Sequence, residues 1–386
     1  MTLQEQNFIK LLSASVQSGI TPVLQDPSYE EIYKIAENHA VKSLLYPALK
    51  KCLPFGDPFL VEMKRQSFAT ATRISMQSKD LSKIYTACES EKIPVLPLKG
   101  CVIKDLYPYP ELRFMSDADL LVPEHSRNTV RTLMESQGFL YHKVDAGDTD
   151  VYISPLRLNY EIHLGLNAEG FSDKTSKFTS DLMKFAFPTQ GNPYLMELPP
   201  EEHYLYILIH FIKHFIYGGV GIRQLTDLFI CYTRWDLDLG KVNSLLEGLE
   251  LTAFHSNLKA LWEHWFMRAD ASREIHALGE FILHSGVFGN EEQRATDRIL
   301  SESNGNNYVL RRLFPSYRTM KGYFPILQKL PFLLPFAWVW RAIRAVLFRR
   351  DKLNTELNTL SRSNESLLDN RREFYHRYGL SVYNKK

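Results

Sequence analysis

The chain has 386 residues, enough for two or three packed units, and its 45% apolar and 23% charged residues are typical of a folded soluble protein rather than a disordered one. Its 46 basic and 44 acidic residues leave a formal charge of +2, which excludes a global field that would draw the whole molecule onto nucleic acid. The four cysteines show no Cys-x-x-Cys spacing, so we expect reduced thiols rather than a disulfide framework or a zinc site. The amino terminus lacks a basic start followed by an apolar run, so we expect no secretion signal and a cytoplasmic location.

Helical periodicity dominates the first quarter of the chain. Apolar residues recur there at intervals of three and four, which predicts a helical amino-terminal region over residues 1–90. From 91 to 198 the pattern changes to short apolar runs separated by turns, which predicts a small mixed sheet. The first run, 93–98, contains two prolines and is therefore expected at an edge or an end of that sheet. Helices are expected over 100–107, before a Pro-x-Pro run, and from 124 to a glycine at 138.

The remaining apolar runs of this part predict the other strands. They cover 117–122, 139–144, 150–154 and 158–164. Helical periodicity returns from 199 to 301, and residues 302–386 form a basic, aromatic, helical carboxy-terminal region. The sequence therefore predicts an α+β fold in which a small mixed β-sheet core, residues 91–198, is flanked by amino-terminal and carboxy-terminal helical regions.

Two aspartates one residue apart stand at the start of the strand predicted over 117–122. Because successive side chains of a strand point to opposite faces, Asp117 and Asp119 project from the same side. Like charges so close together on an apolar strand are costly unless something positive neutralises them, and a divalent metal ion is the simplest answer. The structural alternative is that Asp117 caps a turn, Asp119 forms an ordinary ion pair and the later Glu161 is a solvated strand residue.

A third carboxylate, Glu161, follows on the last predicted strand. Polar and apolar residues alternate there, which places Glu161 and His163 on one face. If this strand neighbours the first, three carboxylates converge and suit two Mg²⁺ ions, because hard cations prefer oxygen ligands and take one or two carboxylates each. Asp117 and Asp119 would hold both ions. Glu161 would complete the inner site and take part in deprotonating a hydroxyl that attacks phosphorus in line.

The acidic strand belongs to a longer set of motifs. The set comprises Leu98-Lys99-Gly100, the helix up to Tyr107, the run from Leu112 to Val122, the run from Tyr160 to His163, then His210, His214, Arg223 and Asp227, and finally Leu313 to Ser316 and Leu333 to Pro335. Together these residues resemble the bacterial family often catalogued as uncharacterised nucleotidyltransferases, within the DNA polymerase β-type superfamily. The similarity covers roughly residues 90–350.

This resemblance implies a nucleotidyltransferase core with two acidic residues on one strand and a third on another. It also implies transfer of a nucleoside monophosphate from NTP with release of pyrophosphate. The superfamily usually carries a Gly-Ser pair that holds the nucleotide phosphates, where this chain has Lys99-Gly100. Lysine binds phosphate well, and glycine at a helix start permits close backbone approach to an anion, so the phosphate contact can be rebuilt. The other interpretation is that the phosphate-binding site is a relic and that the protein has lost its catalytic activity.

Seven side chains or backbone positions are candidates for binding the nucleotide. They are Lys99, Gly100, Arg113, Ser116, His163, Lys213 and Arg223. For Lys99 the alternative is a structural role, with its stem packed and its amine at the surface. For Arg113 the alternative is a salt bridge that stabilises the acidic strand, and for Ser116 it is a turn cap. His163 contacts metal or nucleotide, or is a hydrogen-bonded core residue. Lys213 and Arg223 lie on helix faces that either close over the nucleotide or acceptor, or pack between domains.

The segment from 311 to 352 is basic and aromatic, with ten basic residues and one acidic residue. One side of a helix there is apolar: Phe336, Val339, Trp340, Ile343 and Leu347. Such a helix suits peripheral contact with an anionic membrane surface or with nucleic acid, although we favour packing of its aromatic side on the helical domain. The longest uncharged stretch has 11 residues. A bilayer span needs about 20 apolar residues, so we expect no transmembrane span.

We therefore predict a magnesium-dependent nucleotidyltransferase that moves a nucleoside monophosphate from NTP to a hydroxyl-bearing acceptor, which is a protein, an RNA, a sugar or a small molecule. Two alternatives stay open. A nucleotide-sugar glycosyltransferase also holds a metal ion with Asp-x-Asp, but its fold would place a longer region of alternating strands and helices before the motif. A catalytically inactive nucleotide-binding or regulatory module would keep the fold without the chemistry.

Overall fold

The computed structural model describes residues 1–17, 19–145, 148–166, 171–286, 314–317, 320, 324–348 and 365–380. The chain divides into two compact units. The first is Met1–Phe211 with Gly221–Val287, and the second is Ile212–Val220 with Phe288–Lys386. The fold is mixed α+β, with one small mixed sheet and helical flanks, which confirms the predicted fold class.

Four helices precede the sheet: α1 (Leu3–Gln17), α2 (Tyr29–Asn38), α3 (Lys42–Cys52) and α4 (Pro58–Ser90). The longest, α4, begins where the Asp57 carboxylate accepts hydrogen bonds from the backbone N–H groups of Phe59 and Leu60, which otherwise lack partners in the first turn. Four buried side chains of α4 join the core of the sheet: Ile74, Leu81, Ile84 and Cys88. This helix therefore supports one face of the sheet.

Five strands form the main sheet: β1 (Leu96–Leu98), β2 (Asp117–Leu121), β3 (Leu140–Asp145), β4 (Thr149–Ile153) and β5 (Asn159–His163). Their order is β1-β2-β5-β4-β3, with β2 and β5 parallel and every other neighbouring pair antiparallel. The first strand, β1, lies at the edge of the sheet, which confirms its predicted position. A proline such as Pro97 suits an edge because it has no backbone N–H to donate to a second neighbouring strand. Helix α5 (Gly100–Ile103) follows β1, and α6 (Arg127–Ser136) connects β2 to β3.

The helix expected over 100–107 is shorter than the sequence indicates. Its α-helical part ends at Ile103 and a single 3-10 turn follows. Tyr107 then adopts an extended conformation, with φ −74° and ψ 148°, because the residue before a proline, here Pro108, avoids helical geometry. The helix expected over 124–138 likewise opens with a 3-10 turn and is α-helical only over α6.

After the sheet the structure contains elements that the sequence pattern did not predict. They are α7 (Asp173–Ser180), α8 (Leu182–Phe185) and a hairpin of β6 (Phe187–Thr189) and β7 (Asn192–Glu197). Val95 pairs with Leu195 of β7, one residue before β1 begins. The hairpin is thereby joined to the chain that leads into the main sheet.

Helices follow the hairpin, as the periodicity predicts. They are α9 (Pro200–Ile216), α10 (Ile222–Arg234), α11 (Leu239–Gly248), α12 (Thr252–Met267) and α13 (Arg273–Ser285). The rest of the helical region predicted up to 301 lies outside the described residues. The described residues of the second unit include two further helices, α14 (Leu334–Phe348) and α15 (Glu365–Arg377). Among the residues described, no helix has both the length and the apolar character needed to span a membrane.

His39 is a buried histidine that connects helices of the first unit. Its Nε2 donates to the carbonyl oxygen of Leu283 in α13 at 3.0 Å, and its Nδ1 accepts from the backbone N–H of Ile222 in α10 at 3.2 Å. The neutral imidazole satisfies both bonds, because one ring nitrogen donates and the other accepts. Burial lowers the pKa of His39 to about 4, so the ring stays neutral near pH 7.

Acidification is expected to destabilise the first unit through His39. The folded pKa of about 4 lies below the ordinary value of 6.5, so the unfolded chain binds more protons between these values and stability falls as the pH falls. From about pH 7 to about pH 5 this one group should remove ~2 kcal/mol of unfolding free energy. Urea titrations should show a smaller loss in His39→Gln than in the parent. Parallel losses in the two proteins would contradict this role.

Candidate active site

Strands β2 and β5 bring the predicted acidic residues onto one side of the sheet. The strands are parallel neighbours, with Asp119 in register with Glu161 and Asp117 in register with Asn159. The residues that alternate with them point into the hydrophobic core: Ala118, Leu120, Tyr160 and Ile162. Because side chains alternate along each strand, the carboxylates face away from that core.

Three side chains that can hold a metal ion meet at this face. Asp119, Glu161 and His163 each offer one ligand atom, and these atoms lie within 4.8 Å of one another. Asp119 and His163 are buried, whereas Glu161 is half-buried. Asp117 lies one strand repeat away on the same face, outside this group, and the Ser116 hydroxyl donates to its Oδ1 at 2.7 Å. The structure thus brings Asp119, Glu161 and His163 together, and the metal role of Asp117 stays a prediction.

The Asp119 carboxylate is held by two side chains. Lys99 Nζ lies 2.6 Å from its Oδ1, and His163 Nε2 lies 2.8 Å from the same oxygen. Burial alone would raise the pKa of Asp119, but the charge of Lys99 and the hydrogen bond from His163 outweigh it and lower that pKa below its ordinary value. Asp119 is therefore an ionised carboxylate in the folded protein, as a metal ligand must be.

Lys99 reaches this carboxylate from the turn between β1 and α5. Leu98, the residue before it, pairs with Asp119 across the sheet, and Lys99 itself has a φ of +49°. Side chains other than glycine rarely adopt such a φ, so surrounding contacts must stabilise this conformation. Burial lowers the pKa of Lys99, but the Asp119 charge raises it by more, so the amine stays charged. The ordinary ion pair considered for Asp119 is thus present, and its partner is Lys99.

His163 orients Asp119 in this arrangement. A carboxylate only accepts hydrogen bonds, so His163 Nε2 carries the hydrogen, and Nδ1 shares a hydrogen bond with the Thr149 hydroxyl at 3.0 Å. Both ring nitrogens are used, and a metal ion would have to displace one of these bonds to bind the ring. The hydrogen bonds of His163 thus suit support of Asp119, and the metal roles predicted for Asp119 and Glu161 stay predictions.

Two polar residues of α4 fix the chain just before the aspartates. Arg73 donates from Nε to the carbonyl oxygen of Met115 at 3.0 Å and from Nη2 to that of Ser116 at 2.7 Å. Gln77 donates to the same Met115 oxygen at 3.2 Å. Sequence reasoning did not identify either residue; their i, i+4 spacing on one helix face was the available signal.

Arg113 forms a buried ion pair with Asp227 of α10. Its Nη2 lies 2.6 Å from Asp227 Oδ2 and its Nε lies 3.2 Å from Oδ1, a two-bond geometry, and the Tyr107 hydroxyl donates to Oδ1 at 2.8 Å. Both charged side chains are about 95% buried, with exposed fractions of 6% and 5%. These contacts correspond to the structural alternative for Arg113, a salt bridge that stabilises the approach to the acidic strand.

Gly100 is required by the position of Arg113. A Cβ atom at Gly100 would collide with Nη1 of Arg113 and would lie 2.9 Å from Sδ of Met115. The absence of a side chain therefore lets the guanidinium pass close to the start of α5. This close packing explains why residue 100 is a glycine without reference to a nucleotide. The role predicted for Gly100 in binding phosphate stays a prediction.

Arg223 occupies the first turn of α10, one helical turn before Asp227. In the described part of the structure its Nε and Nη1 atoms are buried without a hydrogen-bond partner. Burial and the nearby Arg113 lower the pKa of Arg223, while Asp227 and Asp117 act in the opposite direction. A buried guanidinium with unused N–H donors can be satisfied by an anion, whereas the negative charge of Asp117 nearby acts against one.

Lys213 lies near the end of α9, with its side chain exposed, and belongs to the second unit. His214 belongs to the same unit, whereas His210 belongs to the first. The role predicted for this helix face in binding nucleotide or acceptor stays a prediction.

The fold and this cluster define an α+β protein with a buried acidic site on adjacent parallel strands. A model of the uncharacterised nucleotidyltransferase family matches residues 25–267. The chain belongs to this family, whose description is that of a transferase. The matched region begins earlier and ends earlier than the predicted similarity over 90–350, so the motifs beyond residue 313 lie outside it. No curated protein and no solved structure matches the chain significantly.

Proposed function

We propose that the protein is a metal-dependent nucleotidyltransferase that moves a nucleoside monophosphate from NTP to a hydroxyl-bearing acceptor. The register pairing of Asp119 with Glu161 on parallel strands carries this proposal, in a chain that belongs to a nucleotidyltransferase family. Two carboxylates on adjacent strands also support a place within the DNA polymerase β-type superfamily, as the resemblance implies.

The donor set fits magnesium. Asp119 and Glu161 offer carboxylate oxygens, which hard cations prefer, and Asp117 adds a third carboxylate on the same face of β2. We propose that these three residues hold two Mg²⁺ ions. When bound, magnesium supplies positive charge against the triphosphate and favours ionisation of the attacking hydroxyl.

The chain's own residues then have distinct tasks. The acceptor oxygen attacks the α-phosphorus of the NTP, the bond from that phosphorus to the β-phosphate oxygen breaks, and pyrophosphate leaves. Glu161 is the more accessible carboxylate, with 28% of its side chain exposed against 6% for Asp119. We therefore propose that Glu161 accepts the proton of the attacking hydroxyl. Asp119 stays ionised throughout, held by its contacts with Lys99 and His163.

Lys99 and Arg223 are the cations that we assign to the phosphates. Lys99 stands where the superfamily usually has its phosphate-binding Gly-Ser pair, and its ammonium already lies beside Asp119. Arg223 brings buried N–H groups that have no partner among the described residues. A phosphate oxygen would satisfy these donors, which are otherwise costly to bury.

A nucleotide-sugar glycosyltransferase is less well supported. Its fold would require alternating strands and helices before the acidic motif, but the helices α1 to α4 precede β1. No observation favours it over nucleotidyl transfer.

The test is incubation of the full chain with each α-labelled NTP, magnesium and candidate acceptors: protein side chains, RNA ends, sugars and small hydroxylated molecules. We expect label on one acceptor class and an equal amount of pyrophosphate. Release of a nucleoside diphosphate from a nucleotide sugar would instead indicate the glycosyltransferase. Nucleotide binding that is independent of magnesium and yields no product would indicate the inactive module.

A further inference from the structure

We propose that helix α14 and the turn before it form a surface that binds to one leaflet of an anionic lipid membrane without crossing it. The second unit contains this helix, which is flanked in sequence by many basic residues. The proposal is independent of nucleotidyl transfer.

One side of α14 is used for packing within its own unit. Ala337 is buried against Met320 and Leu327, and Leu334 and Trp338 pack around them. The indole Nε1 of Trp338 donates to the carbonyl oxygen of Pro315 at 2.9 Å. This side provides the contacts that hold the helix in place.

The other side of α14 is apolar as well, but it is exposed. The exposed fractions are 71% for Phe336, 60% for Val339, 56% for Trp340 and 45% for Ile343, and Phe332 in the preceding turn is 70% exposed. At about 100° per residue the four helical side chains lie within an arc of about 100°, opposite Leu334 and Trp338. Within this unit Leu334, Ala337 and Trp338 make the packing contacts, and the predicted packing of the aromatic side on the helical domain stays a prediction.

Transfer of these exposed apolar side chains from water into an apolar environment is favourable. Burial of one such side chain contributes about 1.5–3 kcal/mol, and Trp and Phe suit the boundary between lipid headgroups and acyl chains. The helix has 15 residues, with Arg341 and Arg344 inside it. Its length is about 22 Å, less than the ~30 Å of a hydrocarbon core, so it would lie in the membrane plane rather than cross it.

The charge around the stripe indicates an anionic surface. Lys329 and Arg344 are exposed, and the described residues between 314 and 348 contain no acidic side chain. Across 311–352 the sequence has ten basic residues and one acidic residue. Each basic residue near an anionic lipid surface contributes about 1 kcal/mol. Nucleic acid explains the exposed Val339 and Ile343 less well, because binding to its backbone uses cations and aromatic rings rather than aliphatic side chains.

The test is sedimentation of the full chain with vesicles of phosphatidylcholine, alone or mixed with phosphatidylglycerol. We expect retention on the mixed vesicles and little on the neutral ones. Substituting Phe336→Ser together with Trp340→Ser should lower the partition coefficient by about 10-fold or more. Substituting Lys329→Gln together with Arg344→Gln should lower retention on mixed vesicles by about 5-fold per charge.

Phe55→Ser is the matched control, since Phe55 is a fully exposed phenylalanine of the first unit. It should leave retention unchanged, and circular dichroism melts should show that all variants stay folded. Equal retention of the parent and the Phe336→Ser, Trp340→Ser variant would overturn the proposal. Retention on RNA but not on vesicles would overturn it in favour of a nucleic-acid surface, and self-association without vesicle binding would overturn it in favour of a second copy.

Discussion

Replacing Asp119 by asparagine should lower nucleotidyl transfer by roughly 10³-fold or more, because charge stabilisation through a metal ion amounts to several kcal/mol and each 1.36 kcal/mol is a factor of ten. Asparagine keeps the shape of the side chain but removes the charge that would attract magnesium. The measurement is the initial rate of pyrophosphate release at saturating NTP, together with the magnesium concentration that gives half the maximal rate. Asp236→Asn, which changes an exposed carboxylate of the same unit, should leave both values unchanged.

Loss of activity in Asp119→Asn could arise from misfolding, since the variant leaves the Lys99 ammonium, 19% exposed, without its ionised partner. Glu161→Gln separates the two causes. Glu161 is in register with Asp119 but is less buried, so its substitution should reduce the rate with little change in the unfolding midpoint. Undiminished label transfer in either folded variant would refute the assignment of that carboxylate.

Removing one member of the Arg113–Asp227 pair should lower the free energy of unfolding by about 3–5 kcal/mol, because the remaining charge is buried without compensation. Asp227→Asn also weakens the hydrogen bond from Tyr107. Replacing both residues, as in Arg113→Met with Asp227→Leu, should recover part of the loss, since an apolar pair leaves no unpaired charge. Urea titrations of Arg113→Met, Asp227→Leu and the double variant measure these differences.

The control for this comparison is the exposed ion pair Lys34–Glu30. The exposed fraction of the side chain is 65% for Lys34 and 80% for Glu30. Lys34→Met should produce no measurable change, because solvent screens such pairs. A double substitution in Arg113 and Asp227 that costs as much as the sum of the single ones would show that the two charges do not act as a pair.

Strand positions and faces were predictable because alternation is a local property. The side-chain pattern around Asp119 and Glu161 predicts that each strand has a polar and an apolar face, and the structure confirms both strands. The prediction that these strands are neighbours was conditional, since pairing depends on the whole chain. The hairpin of β6 and β7 was missed because its strands contain prolines and only half-buried or exposed side chains.

Contacts between distant parts of the chain could not be predicted from the pattern. Arg113 and Asp227 are 114 positions apart, and nothing local indicates that they meet. Lys99 was considered for phosphate, but its contact with Asp119 depends on the antiparallel register of β1 and β2. Arg73 was not identified from the sequence, and its hydrogen bonds end on the backbone before β2. Tertiary packing decides each of these contacts.

The alternation of β5 links the chemistry of this protein to its packing. Tyr160 and Ile162 enter the core, whereas Glu161 and His163 face the acidic cluster. Inserting one residue into this strand would exchange the two sets, burying a carboxylate in the core and placing an aromatic ring at the site. Evolution can therefore lengthen β5 only in steps of two residues if both the site and the core are to survive.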